Sequence, residues 1–133
     1  MNIALIADDK KKGLMLSFCI AYKWILEQHS LYATGDTGSV IVESTGLKVH
    51  IFSPGKLGEQ QIAARVAYNE MDIVIQFHET YGIQTYESEK SSLLNLCDSN
   101  NIPFATNIAT AEVLIKGLER GDLAWRDLIN PAR

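Results

Sequence analysis

Cysteine is scarce: Cys19 and Cys97 are the only two among 133 residues. Each stands alone on an apolar helical stretch. That argues against a structural disulfide or a metal pair and for buried free thiols in a reducing cytosol. Positive charge is also short. Twelve Lys and Arg against sixteen Asp and Glu give a formal net charge of −4. Nothing electrostatic therefore points to nucleic acid or an anionic membrane as a partner. No apolar run reaches the roughly 18 residues a membrane span requires. The opening Met-Asn-Ile-Ala-Leu-Ile-Ala lacks the basic region and cleavage site of a signal peptide and reads as a strand. Internal repeats, linkers, a Gly-x-Ser-x-Gly elbow and a Cys/His nucleophile arrangement are all missing. The one glycine pair after a strand, Gly35 and Gly38, lacks the third glycine of the dinucleotide fingerprint.

What is present is an ordinary globular composition, 47% hydrophobic and 21% charged, expected as one domain spanning residues 1–133. Asn2–Ala7 and Met71–Phe77 are apolar on both faces, as strands inside a parallel sheet are. Leu31–Thr34, Lys48–Phe52 and Ile102–Thr106 complete five strands, with the third nearer an edge. Helical spacing runs from Lys11 to about Gln28, then over Gly38–Thr45, Glu59–Glu70, Ser91–Asn100, Ile108–Glu119 and Asp122–Ile129. Gly46 is placed as a C-terminal cap, and the Ile108–Glu119 helix is expected to end near Gly121. Strands alternating with helices specify a doubly wound, three-layer α/β/α sandwich on a five-stranded parallel core.

In such sheets ligands bind beyond the carboxyl ends of the strands. Those ends carry Asp8-Asp9, Thr34–Thr37, Ser53–Glu59, His78–Glu89 and Thr106-Asn107. Nearly every polar cluster therefore falls on one rim, which implies a small-molecule site there.

The most informative stretch is Leu31-Tyr-Ala-Thr-Gly-Asp-Thr-Gly-Ser39. A strand end, a glycine turn and a helix start with Thr34, Thr37 and Ser39 beside free amides make a phosphate-sized cradle. Asp36 places a carboxylate inside it. Asp8-Asp9-Lys10-Lys11-Lys12 is either a solvated helix start or a site with Asp9 as a carboxylate and Lys12 as an anion ligand. Pro54–Glu59 is either a plain connection or a second anion-binding turn with Lys56 supplying charge. Glu59 is either an N-terminal cap or a base held over the rim. His78 and Glu79 make a poor metal pair, because no third ligand has suitable spacing.

These residues resemble the methylglyoxal synthase family over nearly the whole chain. The clearest segments are Ile3–Lys12, Leu31–Gly38, Ser44–Val49, Gln60–Ile62, Asn101–Ala111 and Gly117–Arg126. The resemblance implies a Rossmann-like α/β domain, usually a homohexamer. It also implies conversion of dihydroxyacetone phosphate to methylglyoxal and inorganic phosphate through an enediolate, without metal or organic cofactor. Family positions carried over unchanged are Asp9, Lys12, Thr34, Thr37 and Gly55, of which Lys12, Thr34, Thr37 and Gly55 are expected to hold phosphate.

Other positions depart from the family pattern. Its His-Asp after the first strand is Asp8-Asp9, and its Gly-Thr-Thr-Gly is Gly35-Asp36-Thr37-Gly38. Its Gly-Gly-Asp-Gln-Gln is Gly58-Glu59-Gln60-Gln61, with one glycine fewer and Glu59 as the base. The acid after the fourth strand is Glu79. The substrate-orienting histidine is Tyr86, and a further site acid is Glu89. Three functions follow from this sequence: a divergent methylglyoxal synthase, a catalytically weak or silent phosphate- or metabolite-binding regulatory protein, or a lyase or isomerase for a less anionic carbonyl compound.

Overall fold

The computed structural model describes residues 1–79 and 92–131. Five parallel strands form one sheet: β1 (Asn2–Ala7), β2 (Ser30–Ala33), β3 (Val49–Ile51), β4 (Ile73–Phe77) and β5 (Phe104–Ala105). Their order is β3-β2-β1-β4-β5. β1 is central because Ile3, Ala4, Leu5 and Ile6 are all buried, leaving neither face for water. β3 closes one edge, as its alternating pattern implies, and His50 and Ile51 are exposed.

The helices are α1 (Lys12–Ala21), α2 (Lys23–Leu26), α3 (Gly35–Thr45), α4 (Gly55–Ala67), α5 (residues 92–99), α6 (Ile108–Arg120) and α7 (Trp125–Ile129). Their apolar stripes sort onto the two faces of the sheet. Phe18 and Cys19 of α1, Ile41 of α3 and Ile115 of α6 pack against Ile3, Leu5, Ile75 and Phe77. Ile62 and Val66 of α4 with Cys97 of α5 pack against Ala4, Ile6 and Val74. Both cysteines are free and buried. Burial pushes each thiol up to about 12, with the Asp98 charge adding to the effect at Cys97.

Several boundaries differ from those the sequence implies. The helix expected over Lys11–Gln28 is three pieces: a 3₁₀ turn Asp9–Lys11, α1, and α2. It breaks at Tyr22 (φ −115°, ψ 23°), whose hydroxyl donates to the Glu112 carboxylate on α6. The helical spacing of the apolar residues continues through Tyr22 although the backbone leaves the helix there, because periodicity reports which face is buried and not the backbone angles. α3 begins at Gly35 rather than Gly38, and α4 at Gly55 rather than Glu59. The final helix starts at Trp125, not Asp122. β4 starts at Ile73, and it is not wholly apolar, since Gln76 is buried within it.

At the end of the sheet opposite the rim, Arg126 is fully buried. Its Nε donates to Asp72 Oδ1 at 2.8 Å, and its other nitrogens reach Asn69 Oδ1 (2.7 Å), Asn101 O (3.0 Å) and Met71 O (3.1 Å). Asp72 Oδ2 accepts the Asn2 amide at 2.8 Å. One guanidinium thus ties α7 to the starts of β1 and β4.

Candidate active site

Two helix openings meet at the rim. α3 starts directly after β2, with Thr34 as the residue before its first turn; α4 starts directly after Pro54. The first turn of each helix leaves backbone N–H groups with no intrahelical acceptor, an arrangement that favours an anion. Ser53 joins them. Its carbonyl accepts the Gly35 amide at 3.2 Å, and its own amide donates to Gln61 Oε1 at 2.9 Å.

The glycines are explained by this approach. A Cβ on Gly58 would lie 1.8 Å from the Ser53 carbonyl oxygen, and one on Gly35 would lie 2.9 Å from Pro54 N. Gly35 and Gly38 are therefore helical residues that let neighbouring backbone and Ile51 come close, not a turn. Among Gly35, Gly38, Gly55 and Gly58, Gly55 takes a left-handed conformation (φ 67°), which bends the chain into α4.

A cleft of about 630 Å³ opens beyond the ends of β1, β2 and β4. Asp8, Asp9, Lys12, Thr34, Asp36, Thr37, Gly55, Lys56, Glu59, Gln76 and His78 all line it. Seven residues expected at the site are thereby brought together: Asp9, Lys12, Thr34, Asp36, Thr37, Gly55 and Glu59. Tyr86 and Glu89 lie outside the described residues.

Lys12 is the cation at the centre. Its Nζ donates to Asp9 Oδ1 at 2.5 Å and lies 3.8 Å from Asp36 Oδ2. The hydrogen bond from Lys12, and then its charge, hold the Asp9 carboxyl below the usual carboxylate range. Asp36 belongs to the first turn of α3, where the helix dipole favours a carboxylate, and its side chain is largely in solvent. The Thr37 hydroxyl donates to the Ala7 carbonyl at 3.4 Å, binding the opening of α3 to the end of β1. Thr34 is buried, makes no capping bond and lines the cleft.

Glu79 is placed differently. Its carboxylate pairs with Lys10 at 3.5 Å, and its amide donates to Asp8 Oδ2 at 2.8 Å. The same Asp8 carboxylate lies 3.3 Å from His78 Nδ1. His78 rather than Glu79 forms the described wall of the cleft at the end of β4. Sequence reading also missed Gln76; its signal was a single amide in an otherwise apolar, doubly buried strand. No group of three or more His, Cys, Asp or Glu among the described residues is arranged to hold a metal ion.

Fold and cleft together define a doubly wound α/β fold with a cleft at the strand-end rim, lined by two helix openings and a lysine. The family model described as "MGS-like domain" matches residues 15–106. A methylglyoxal synthase from Caldicellulosiruptor saccharolyticus is 60% identical over 132 residues, covering 98% of this chain and 94% of that protein. One from Geobacillus sp. is 57% identical over 130 residues, covering 97% and 93%. The crystal structure of methylglyoxal synthase from Elizabethkingia anophelis superposes with a TM-score of 0.76 at 32% identity, covering 86% of this chain and 76% of that one. The chain belongs to the methylglyoxal synthase family.

Proposed function

We infer that this protein is a carbon–oxygen lyase that converts dihydroxyacetone phosphate to methylglyoxal and inorganic phosphate. One observation carries the reading: Lys12, Thr34 and the α3 opening line the same cleft as Glu59. An anion grip and a carboxylate base thus face one small volume.

The substrate phosphate lies against the first turns of α3 and α4, with Lys12, Lys56, Thr34 and Thr37 around it. Glu59 takes a proton from the hydroxymethyl carbon next to the carbonyl, and the electron pair moves onto the carbonyl oxygen to give the enediolate. The enediolate then loses its hydroxyl proton and forms the aldehyde. The double bond shifts, and the C–O bond to phosphate breaks with the electron pair leaving on phosphate. The remaining enolate takes a proton at its terminal carbon and becomes methylglyoxal. Asp9 and Glu89 handle these protons, and Tyr86 donates to the carbonyl oxygen.

The test is phosphate release from dihydroxyacetone phosphate by the purified protein. Glu59→Gln, still folded, is expected to lose about 10²–10⁴-fold in kcat. A wild-type protein that releases no phosphate at any substrate concentration would overturn the assignment. A cytosolic homohexamer belongs to the same reading, and sedimentation velocity that gave a monomer would remove that part of it.

A further inference from the structure

Gln76 is buried at the floor of the cleft, on the face of β4 that packs toward α4 and α5, and is paired in register with Ile6 of β1. Its side-chain oxygen accepts no hydrogen bond from any described residue. A buried acceptor left unsatisfied costs free energy that an apolar residue of the same shape would not. Val74 and Ile6 on the same face of the sheet are apolar, so packing alone gives no reason for an amide there.

Position suggests what does. The sheet order sets β4 two strands from β2, which leads into the phosphate-binding opening of α3. Two strand spacings are about 10 Å. A three-carbon phosphate ester anchored on α3 and Lys12 therefore extends its carbon end across β1 toward Gln76. A carboxamide offers both a donor and an acceptor in that space, which suits a hydroxyl and carbonyl on adjacent carbons.

We propose that Gln76 is a specificity-determining substrate contact that hydrogen-bonds the hydroxyketone end of the substrate while the α3 opening holds its phosphate. This rests on the lyase reading above. It adds a prediction that reading does not make: Gln76 distinguishes a hydroxyketone phosphate from phosphate itself.

The experiment compares wild type with Gln76→Met, a near-isostere, and with Gln76→Leu should the first fail to fold. Two ligands are measured: dihydroxyacetone phosphate through kcat/KM, and inorganic phosphate through its inhibition constant. The substitution is expected to lower kcat/KM by about 10-fold, leave the phosphate constant within about twofold, and raise Tm by a few degrees. The rise in Tm separates a substrate contact from a structural amide, whose removal lowers it. An unchanged kcat/KM, equal weakening of both ligands, or a lowered Tm in both variants overturns the proposal. If wild type shows no turnover, the lyase reading fails and the same ratio is measured by calorimetric titration. Gln76 then stands or falls on that ratio, and no binding of dihydroxyacetone phosphate by wild type overturns both.

Discussion

Asp36 is the residue on which the proposed anion site turns. A carboxylate about 4 Å from a phosphate charge costs on the order of 4 kcal/mol at an effective dielectric of 20. Because Asp36 is largely in solvent, screening reduces that figure. It also shares Lys12 with Asp9, so the central cation faces two carboxylates before any ligand arrives. Asp36→Thr is therefore expected to tighten inorganic phosphate by about 10-fold at low salt, a gain that shrinks as ionic strength rises past about 0.15 M. Calorimetric titration at two ionic strengths checks this, and an unchanged affinity would mean that Lys12 already neutralises Asp36. The acidity of the residue was legible in the sequence. That Lys12 bridges it to Asp9 was not, because the two acids come from different strand ends.

At the scale of elements, strands were read more securely than helix starts. A strand buried on both faces announces itself by composition, as β1 does. A helix start is decided by which amides find acceptors, and at α3 and α4 that depends on Ser53 and on glycines that admit its carbonyl. The break at Tyr22 was equally illegible, and so was that residue's contact with Glu112, 90 residues away in the sequence. Arg126 makes the same point at the other end of the sheet: a lone arginine near the final helix gives no sign that it holds Asp72 in the interior. Arg126→Met leaves that carboxylate buried without its guanidinium and should destabilise the fold by about 3–5 kcal/mol. Urea unfolding measures the loss. The cleft is at the opposite end of the strands, so KM in the surviving folded fraction should stay near the wild-type value.

For the molecule as a whole, the two thiols set a limit on stability at high pH. Each has its ordinary value of 9.0 raised to about 12, so in that window the folded chain keeps protons that the unfolded chain releases. Stability is therefore full below about pH 9 and falls as pH rises toward 12, by at most about 4 kcal/mol per thiol. Urea midpoints at pH 7.5 and 10.5 should show the fall, and a Cys19→Ala, Cys97→Ala variant should show less of it. A slope unaltered by the double substitution would place the effect elsewhere.

The sequence by itself determined the fold class, the rim on which polar residues gather and the family, because apolar periodicity and strand-end composition are local properties that survive without coordinates. It also named seven of the residues that line the cleft. Only the tertiary structure decided how they meet. Lys12 between Asp9 and Asp36, His78 rather than Glu79 on the wall, and Gln76 at the floor are each fixed by strand order and by helices packed from distant parts of the chain. The Thr34–Ser39 segment shows the difference most directly. Read along the chain it is a glycine turn with an odd acid. Folded, it is the first turn of α3, its glycines admit Pro54 and Ile51, and its acid pairs with a lysine from the start of α1.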